Sequence, residues 1–333
     1  MKEEVTGAER VEIVNLGRGA DDFSSAVRKG LTSTPKMVSP RYFYDELGAV
    51  LFEAICRLPE YYVSRAESKI LLDFSGEIVA SMETPLRLVE LGCGTATKTR
   101  HVITAALKRQ ASLQYIPIDI DYGTLRDTAD ALASAYDALR ITAIAAPFED
   151  GIEHASALRG GDDANTLVLF LGSTLGNFEP DARHTFLRKL RDGMRPGDAV
   201  LVGADQDKND EILIPAYDDV LGVTAAFNRN LLVRINRELG GTFEVALFRH
   251  EARYDHDRKR IEMHLISDIA QRVAIRAAGI EIDFAEGESI HTESSYKFTP
   301  HAINSIAQEA GFALTHQWTD RDRLFADFLL RAV

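Results

Sequence analysis

The stretch Leu88-Val-Glu-Leu-Gly-Cys-Gly-Thr95 constrains this chain more than any other. A mostly apolar run carries one acid, Glu90, and then breaks at a Gly-x-Gly turn. Such a run reads as a buried strand that delivers its carboxyl end to a turn with little side-chain bulk. A helix-like segment follows over about residues 96–108. Strand, glycine turn and helix in that order hold nucleotide-like cofactors at the carboxyl edge of an α/β sheet. The third glycine of the dinucleotide fingerprint is replaced by Thr97, and no Gly-Lys-Ser/Thr follows. Glu90 ahead of a turn without a phosphate cradle favours a cationic, phosphate-free cofactor, and S-adenosylmethionine fits. An ordinary strand-turn-helix with structural glycines accounts for the same residues.

The pattern around this turn is an alternation. Residues 86–91, 113–118, 139–145, 166–171 and 199–204 read as strands, the fourth continuously apolar as a doubly covered parallel strand should be. Residues 122–136 and 181–191 read as helices between them. This predicts a parallel, doubly wound sheet. Beyond it the rhythm changes. Residues 211–237 are mostly helical, 243–254 and 260–266 form a hairpin with a polar tip over Arg253–Arg260, and 274–298 add strand-like material. A helix over 301–310 and a strand pair at 313–319 and 324–331 close the chain. The expected fold class is therefore α/β, a Rossmann-like domain with an inserted α+β module.

With 333 residues and 45% apolar content, the chain can bury two cores or one large one. A net charge of −13 with no sustained basic patch argues against nucleic-acid and membrane partners. Cys56 and Cys93 are too far apart for a metal motif, and the nine histidines show no ligand-type pairing, so no metal is expected. No signal peptide and no run of membrane-spanning length are read, which points to a reduced, cytoplasmic setting.

Several residues could carry chemistry. Asp119 ends the second strand 27 positions after Gly92, where a fixed carboxylate can accept from ribose hydroxyls. Asp121 competes for that role, and either acid could instead cap the next helix. Leu171-Gly-Ser-Thr-Leu-Gly-Asn177 leaves the fourth strand with small residues, and Asn177 offers one acceptor and two donors. Its alternative is a capped turn. If Thr292-Glu-Ser-Ser-Tyr-Lys-Phe298 is a strand, Glu293 and Ser295 share a face roughly 6.6 Å apart. That spacing could hold the two nitrogens of an imidazole, although a solvent-facing polar stripe has the same pattern. Tyr44, Tyr61, Tyr62 and Tyr217 are candidate pocket phenols, each equally at home in a core.

Together these segments resemble the S-adenosylmethionine-dependent histidine Nα-methyltransferases of ergothioneine biosynthesis. The stretches that carry the resemblance include Phe43-Tyr-Asp45, Leu58-Pro-Glu-Tyr-Tyr62, Val89–Thr95 with Lys98-Thr-Arg100, and Gly172–Asn177. They continue through Ala216-Tyr-Asp-Asp219, Gly222–Asn230, Arg260-Ile-Glu-Met263 and Thr292-Glu-Ser-Ser295. They run in order from about Gly30 to the end, and the Leu58 and Gly222 blocks are far more specific than the glycine turn. The resemblance implies a class I methyltransferase domain over 66–207 plus 298–333 and a substrate-binding domain over 9–65 plus 208–297. It implies a cofactor pocket lined by Gly92, Lys98, Asp119 and the Phe148 backbone. It implies Asn177 and Tyr217 as the catalytic pair on the amino acid's amine and carboxylate, with Tyr61 and Gly172 beside them. Glu293 and Ser295 would grip the imidazole, with Tyr44 near it and Met263 shaping that end. The expected reaction is threefold methylation of the α-amine of L-histidine to hercynine by a monomer. One departure stands at Ala146-Pro-Phe148: Pro147 occupies the position where the family often has an acid for the adenine amino group. Rivals are a relative acting on another aromatic amino acid, such as the fungal prenylated-tryptophan N-methyltransferases, a nucleic-acid or protein methyltransferase, and a non-catalytic cofactor-binding protein. An indole would leave Glu293 and Ser295 poorly satisfied, and the acidic charge disfavours the second rival.

Overall fold

The structure is a computed structural model that describes residues 10–17, 23–160 and 163–333. Along the chain come β1 (Val11–Asn15), α1 (Phe23–Leu31), β2 (Lys36–Met37), α2 (Glu46–Ile55) and α3 (Val63–Ala80). The central alternation is β3 (Leu86–Leu91), α4 (Thr99–Leu107), β4 (Leu113–Asp119), α5 (Tyr122–Ala135), β5 (Leu139–Ala145), α6 (Phe148–Ala157), β6 (Asn165–Phe170), α7 (Pro180–Asp192) and β7 (Ala199–Asp205). Next come α8 (Asp210–Tyr217), α9 (Val223–Leu239), β8 (Phe248–Asp255), β9 (Arg260–Ser267), β10 (Gln271–Ile275), β11 (Ile280–Phe284) and β12 (Ser289–Tyr296). The last elements are α10 (Pro300–Glu309), β13 (Phe312–Thr319) and β14 (Phe325–Ala332).

The chain divides into two compact units. The first takes in Arg65–Gln206, Phe298–Val333 and β1. Its eight strands run in the order β1-β5-β4-β3-β6-β7-β14-β13. Every pairing from β1 to β7 is parallel, and β14 is antiparallel to both β7 and β13. All six residues of β3 and all seven of β7 are buried, as strands covered on both faces require. The two charges that β3 buries are both engaged: Arg87 donates to Thr166 Oγ1 at 2.8 Å and Glu90 accepts from Thr99 and Tyr115. Sequential strands run outward in opposite directions from β3 and β6. Their adjacent carboxyl ends therefore form the switch point at which such sheets bind ligands.

The second unit joins the segment ending at Ser64 to Asp207–Lys297. Its sheet has the order β2-β12-β9-β8, accompanied by the β10-β11 hairpin. Helices α8 and α9 pack on β8 and β9. The single helical stretch expected over 211–237 is interrupted. Gly222 adopts a left-handed φ of +74°, and Asp219 accepts from the backbone N–H of Val223 and Thr224 at 3.0 and 2.7 Å, so a new helix starts there.

Two further expectations need correction. Residues 11–15 do not go with the substrate module; they add a parallel strand to the outside of β5. The hairpin tip over 253–260 is solvated only in part, because Arg260 is buried, bonded to Glu262 and to Tyr296 Oη at 2.7 Å. Among the described residues no helix is long and apolar enough to cross a membrane, and no His/Cys/Asp/Glu cluster has the arrangement of a metal site.

Candidate active site

In the first unit, three loops at the carboxyl edge of the sheet make one locus. After β3, Gly92 and Gly94 take φ values of +72° and +47°. A Cβ on Gly94 would meet nothing within 4 Å, so that side of the turn faces open space. A Cβ on Gly92 would lie 3.5 Å from the Phe148 ring. At the end of β4, Asp119 accepts from the Gly94 N–H and the Asp121 N–H, each at 3.0 Å. Each of its oxygens keeps a lone pair for a further donor. Burial raises its pKa against those backbone donors. Asp121 is the helix cap, accepting from Gly123 N–H and Thr124 Oγ1. The two acids that sequence left open as ribose ligand or cap thus have separate places. Phe148 is the first residue of α6, so its N–H has no acceptor within the helix.

Glu90 is buried and held by two hydroxyls. Burial pushes its pKa up to about 7 while the Thr99 and Tyr115 hydroxyls hold its two oxygens, so it pins the start of α4 to β3 and β4. Lys98 points its ammonium at Glu67 of α3, which is fully buried and also accepts the Gly172 N–H at 2.7 Å. Burial alone would lower the pKa of Lys98, but the Glu67 carboxylate outweighs it and the net shift is upward. Gly172 (φ +76°) and Ser173 (φ +58°) turn the chain out of β6 into a single 3-10 turn, Thr174–Asn177. Asn177 ends that turn half-buried. Sequence reading did not single out Glu67. Its signal is an acid in an amphipathic helix that turns out to be wholly inside.

In the second unit, β12 places Glu293 opposite Met263 and Ser295 opposite Ile261 on β9, so Glu293, Ser295 and Met263 share one face. This is not a fully solvent-facing stripe: on that face Ser295 and Lys297 are buried and Glu293 is half-buried. Tyr217, at the end of α8, shares a hydrogen bond of 2.9 Å between its Oη and Ser295 Oγ. Its carbonyl accepts from His250 Nε2 at 2.8 Å, while Asn228 donates to His250 Nδ1 at 2.8 Å, which fixes the tautomer. Burial lowers the His250 pKa, so the ring is neutral at pH 7. Tyr61 sits with its ring centroid 6.0 Å from that of Tyr217. Burial, with Tyr217 next in weight, pushes its phenol well above 10. Tyr44 packs edge-on to Phe52 and Phe227. Burial pushes Glu293 up to about 7, against the opposing charge of Lys297.

The family-specific blocks acquire physical reasons here. Asp45 caps α2 through Gly48 N–H at 2.8 Å and accepts from Asn230 at 2.7 Å, so the Phe43 and Gly222 blocks hold each other. Phe227 lies 4.6 Å from Phe43 and 5.8 Å from Tyr44, centroid to centroid. Of the residues named from sequence, Gly92, Lys98, Asp119, Phe148, Gly172 and Asn177 belong to the first unit. Tyr44, Tyr61, Tyr217, Met263, Glu293 and Ser295 belong to the second. Lys297, which donates to both Tyr217 and Ser295, was not anticipated.

A family model described as histidine-specific, SAM-dependent methyltransferase matches residues 23–332. The histidine N-alpha-methyltransferase of Mycolicibacterium smegmatis is 44% identical over 294 residues, 88% of this chain and 90% of that protein. Ergothioneine biosynthesis protein 1 of Schizosaccharomyces pombe is 26% identical over 83% of this chain and 36% of its own length. The L-tryptophan methyltransferase of Psilocybe serbica is 26% identical over 97% of this chain and 98% of its own. A family match that takes in both units, together with 44% identity across most of the chain, establishes that the chain belongs to the histidine-specific, S-adenosylmethionine-dependent methyltransferases.

Proposed function

We propose that this chain transfers three methyl groups in turn from S-adenosylmethionine to the α-amine of L-histidine, giving hercynine, an early step of ergothioneine biosynthesis. The observation that carries this reading is the pairing of Glu293 with Ser295 on one face of β12, within a family whose description is histidine-specific. A carboxylate and a hydroxyl two residues apart offer an acceptor for one imidazole nitrogen and a donor or acceptor for the other. An indole has a single N–H and would leave one of these groups unpaired, which costs specificity for the tryptophan alternative.

S-adenosylmethionine suits the donor set of the first unit. Asp119 has lone pairs left for ribose hydroxyls, Gly94 leaves room beside it, and Phe148 has a spare N–H for an adenine nitrogen. Pro147 offers neither a carboxylate nor an N–H, so adenine recognition there falls to the Phe148 backbone. When bound, the cofactor supplies an electrophilic methyl on a sulfonium. The chain's own residues orient the acceptor. In this reading Asn177, with Gly172 beside it, holds the amine. Tyr217 holds the carboxylate with Tyr61 beside it, Tyr44 lies near the ring, and Met263 shapes that end. Alignment of an unprotonated amine contributes more than acid–base work in such a displacement. The reading also takes the enzyme as a cytoplasmic monomer without nucleic-acid or membrane partners; the net charge of −13 supports the last two.

The test is purified protein with labelled S-adenosylmethionine and a panel of free amino acids. Histidine is expected to be the preferred acceptor, with mass spectrometry locating three methyls on the α-nitrogen. Label on the ring nitrogen, or no turnover of histidine, would end this reading. In the same assay Asn177→Ala is expected to cripple turnover while cofactor affinity stays near wild type. The lost contact to a charged or partly charged group is worth about 1.5–3 kcal/mol. Calorimetry that shows lost S-adenosylmethionine binding but normal histidine affinity would reverse the assignment of Asn177.

A further inference from the structure

Helix α8 is weakly held at its end by its own backbone. Pro215 sits inside it and has no N–H to offer the carbonyl one turn back. The Tyr217 carbonyl, at the last helical position, has no donor within the helix. Asp218 then leaves the helix at a φ of −146°. Yet Tyr217 is the residue whose Oη stands 2.9 Å from Ser295 Oγ on β12. Whatever holds the end of α8 therefore places that hydroxyl.

Strand β8 supplies such a hold. Its register with β9 sets His250 opposite Leu265 and Ala252 opposite Met263. His250 thus lies on the face of the sheet that carries Met263, Glu293 and Ser295. Its side chain is only 1% exposed. Nε2 donates to the Tyr217 carbonyl at 2.8 Å. Asn228 of α9 determines which ring nitrogen does so. Its amide donates one hydrogen to the His264 carbonyl at 3.2 Å and the other to His250 Nδ1 at 2.8 Å. The His264 carbonyl can only accept, so it settles which end of the amide is the NH2. Nδ1 is thereby an acceptor, and Nε2 carries the ring's hydrogen. Orientation passes from a β9 carbonyl, through an amide on α9 and a ring on β8, to the end of α8. Both ring nitrogens are committed, so the reach of His250 toward a substrate runs through Tyr217. A misplacement of about 1 Å is enough to cost a hundredfold in rate.

We propose that His250 is a positioning residue for the acceptor amino acid: held in one tautomer by Asn228, it fixes the end of α8 and with it the Tyr217 hydroxyl. The inference rests on the reading of Tyr217 as the group that holds the substrate carboxylate.

The experiment is a double-mutant cycle on kcat/KM for histidine, with His250→Leu and Tyr217→Phe made singly and together. In the wild-type background His250→Leu is expected to lower kcat/KM about tenfold. In the Tyr217→Phe background the same change is expected to cost less than about twofold, because no hydroxyl is left to misplace. His250→Gln, whose amide nitrogen can stand in for Nε2, is expected to stay within about threefold of wild type. His250→Asn is too short to reach the carbonyl and repeats the cycle with a polar residue. Equal losses from His250→Leu in both backgrounds overturn the proposal, since a ring that only stabilises the fold costs the same with or without the hydroxyl. A His250→Gln variant no better than His250→Leu overturns it too. So does failure of both His250→Leu and His250→Asn to fold, which would make the ring structural. A Tyr217→Phe variant equal to wild type overturns the reading of Tyr217 and this inference with it. Absence of histidine turnover by the wild type would instead end the functional reading beneath both.

Discussion

Glu293→Ala is expected to lower kcat/KM for histidine between ten- and a hundredfold while leaving tryptophan and phenylalanine unchanged or improved. Glu293 is half-buried on β12, directly across from Met263. Removing it takes away a charge-assisted hydrogen bond worth about 1.5–3 kcal/mol and opens volume for a larger ring. A site built around a hydrogen bond discriminates strongly, and one without it discriminates by size alone. Specificity constants for the three amino acids in wild type and variant decide the matter. If their ratio does not move, Glu293 does not read the side chain.

Glu67→Ala is expected to be the most damaging single substitution in the first unit. Glu67 is fully buried, accepts from both Lys98 and the Gly172 N–H, and lies where a Cβ on Gly203 would fall. Opposite Gly203 stands Asp327, whose buried carboxyl oxygens have no hydrogen-bond partner among the described residues. Burial, reinforced by Glu67 and opposed by Lys98, raises the pKa of Asp327 well above that of a free carboxyl. Truncating Glu67 strands the lysine charge and the Gly172 N–H together, at a cost of about 3–5 kcal/mol. Melting temperature is expected to fall by several degrees and S-adenosylmethionine affinity to drop with it, since Lys98 and Gly172 flank the two loops of the switch point. Glu67→Gln keeps an acceptor and should be milder. A thermal melt and a titration calorimetry curve that both match wild type would show that Glu67 ties nothing together.

The central sheet was legible because β3 to β7 are mostly apolar runs that alternate with helical segments. The place of Asp119 at the end of β4 was also within reach, and of the two acids Asp121 takes the cap. What escaped was charge at buried positions. Glu67 and Lys297 look like ordinary surface residues in a helix and at a strand end, and only the partners brought by distant segments reveal otherwise. Periodicity carries no information about such partners: Gly172 is 105 residues from Glu67, and Tyr217 is 80 from Lys297. The N-terminal strand was missed for a related reason. Val11–Asn15 has one buried residue in five, so its pattern reads as surface, and its place is fixed only by pairing with β5. What sequence does not show for Glu90 is that two hydroxyls, from β4 and the start of α4, hold its carboxyl.

The position of β14 bears on how the protein is made. It lies between β7 and β13 in the sheet, yet every other element of both units precedes it along the chain. During translation β7 therefore waits with one side of a fully buried strand unpaired while Asp207–Lys297 of the second unit is synthesised. An apolar edge of that kind is a template for joining another chain. The nascent protein depends on its last strand to retire that edge. Ribosome stalling or a stop codon after Thr319 would leave a polypeptide without β14 that aggregates, rather than a shortened enzyme with reduced activity.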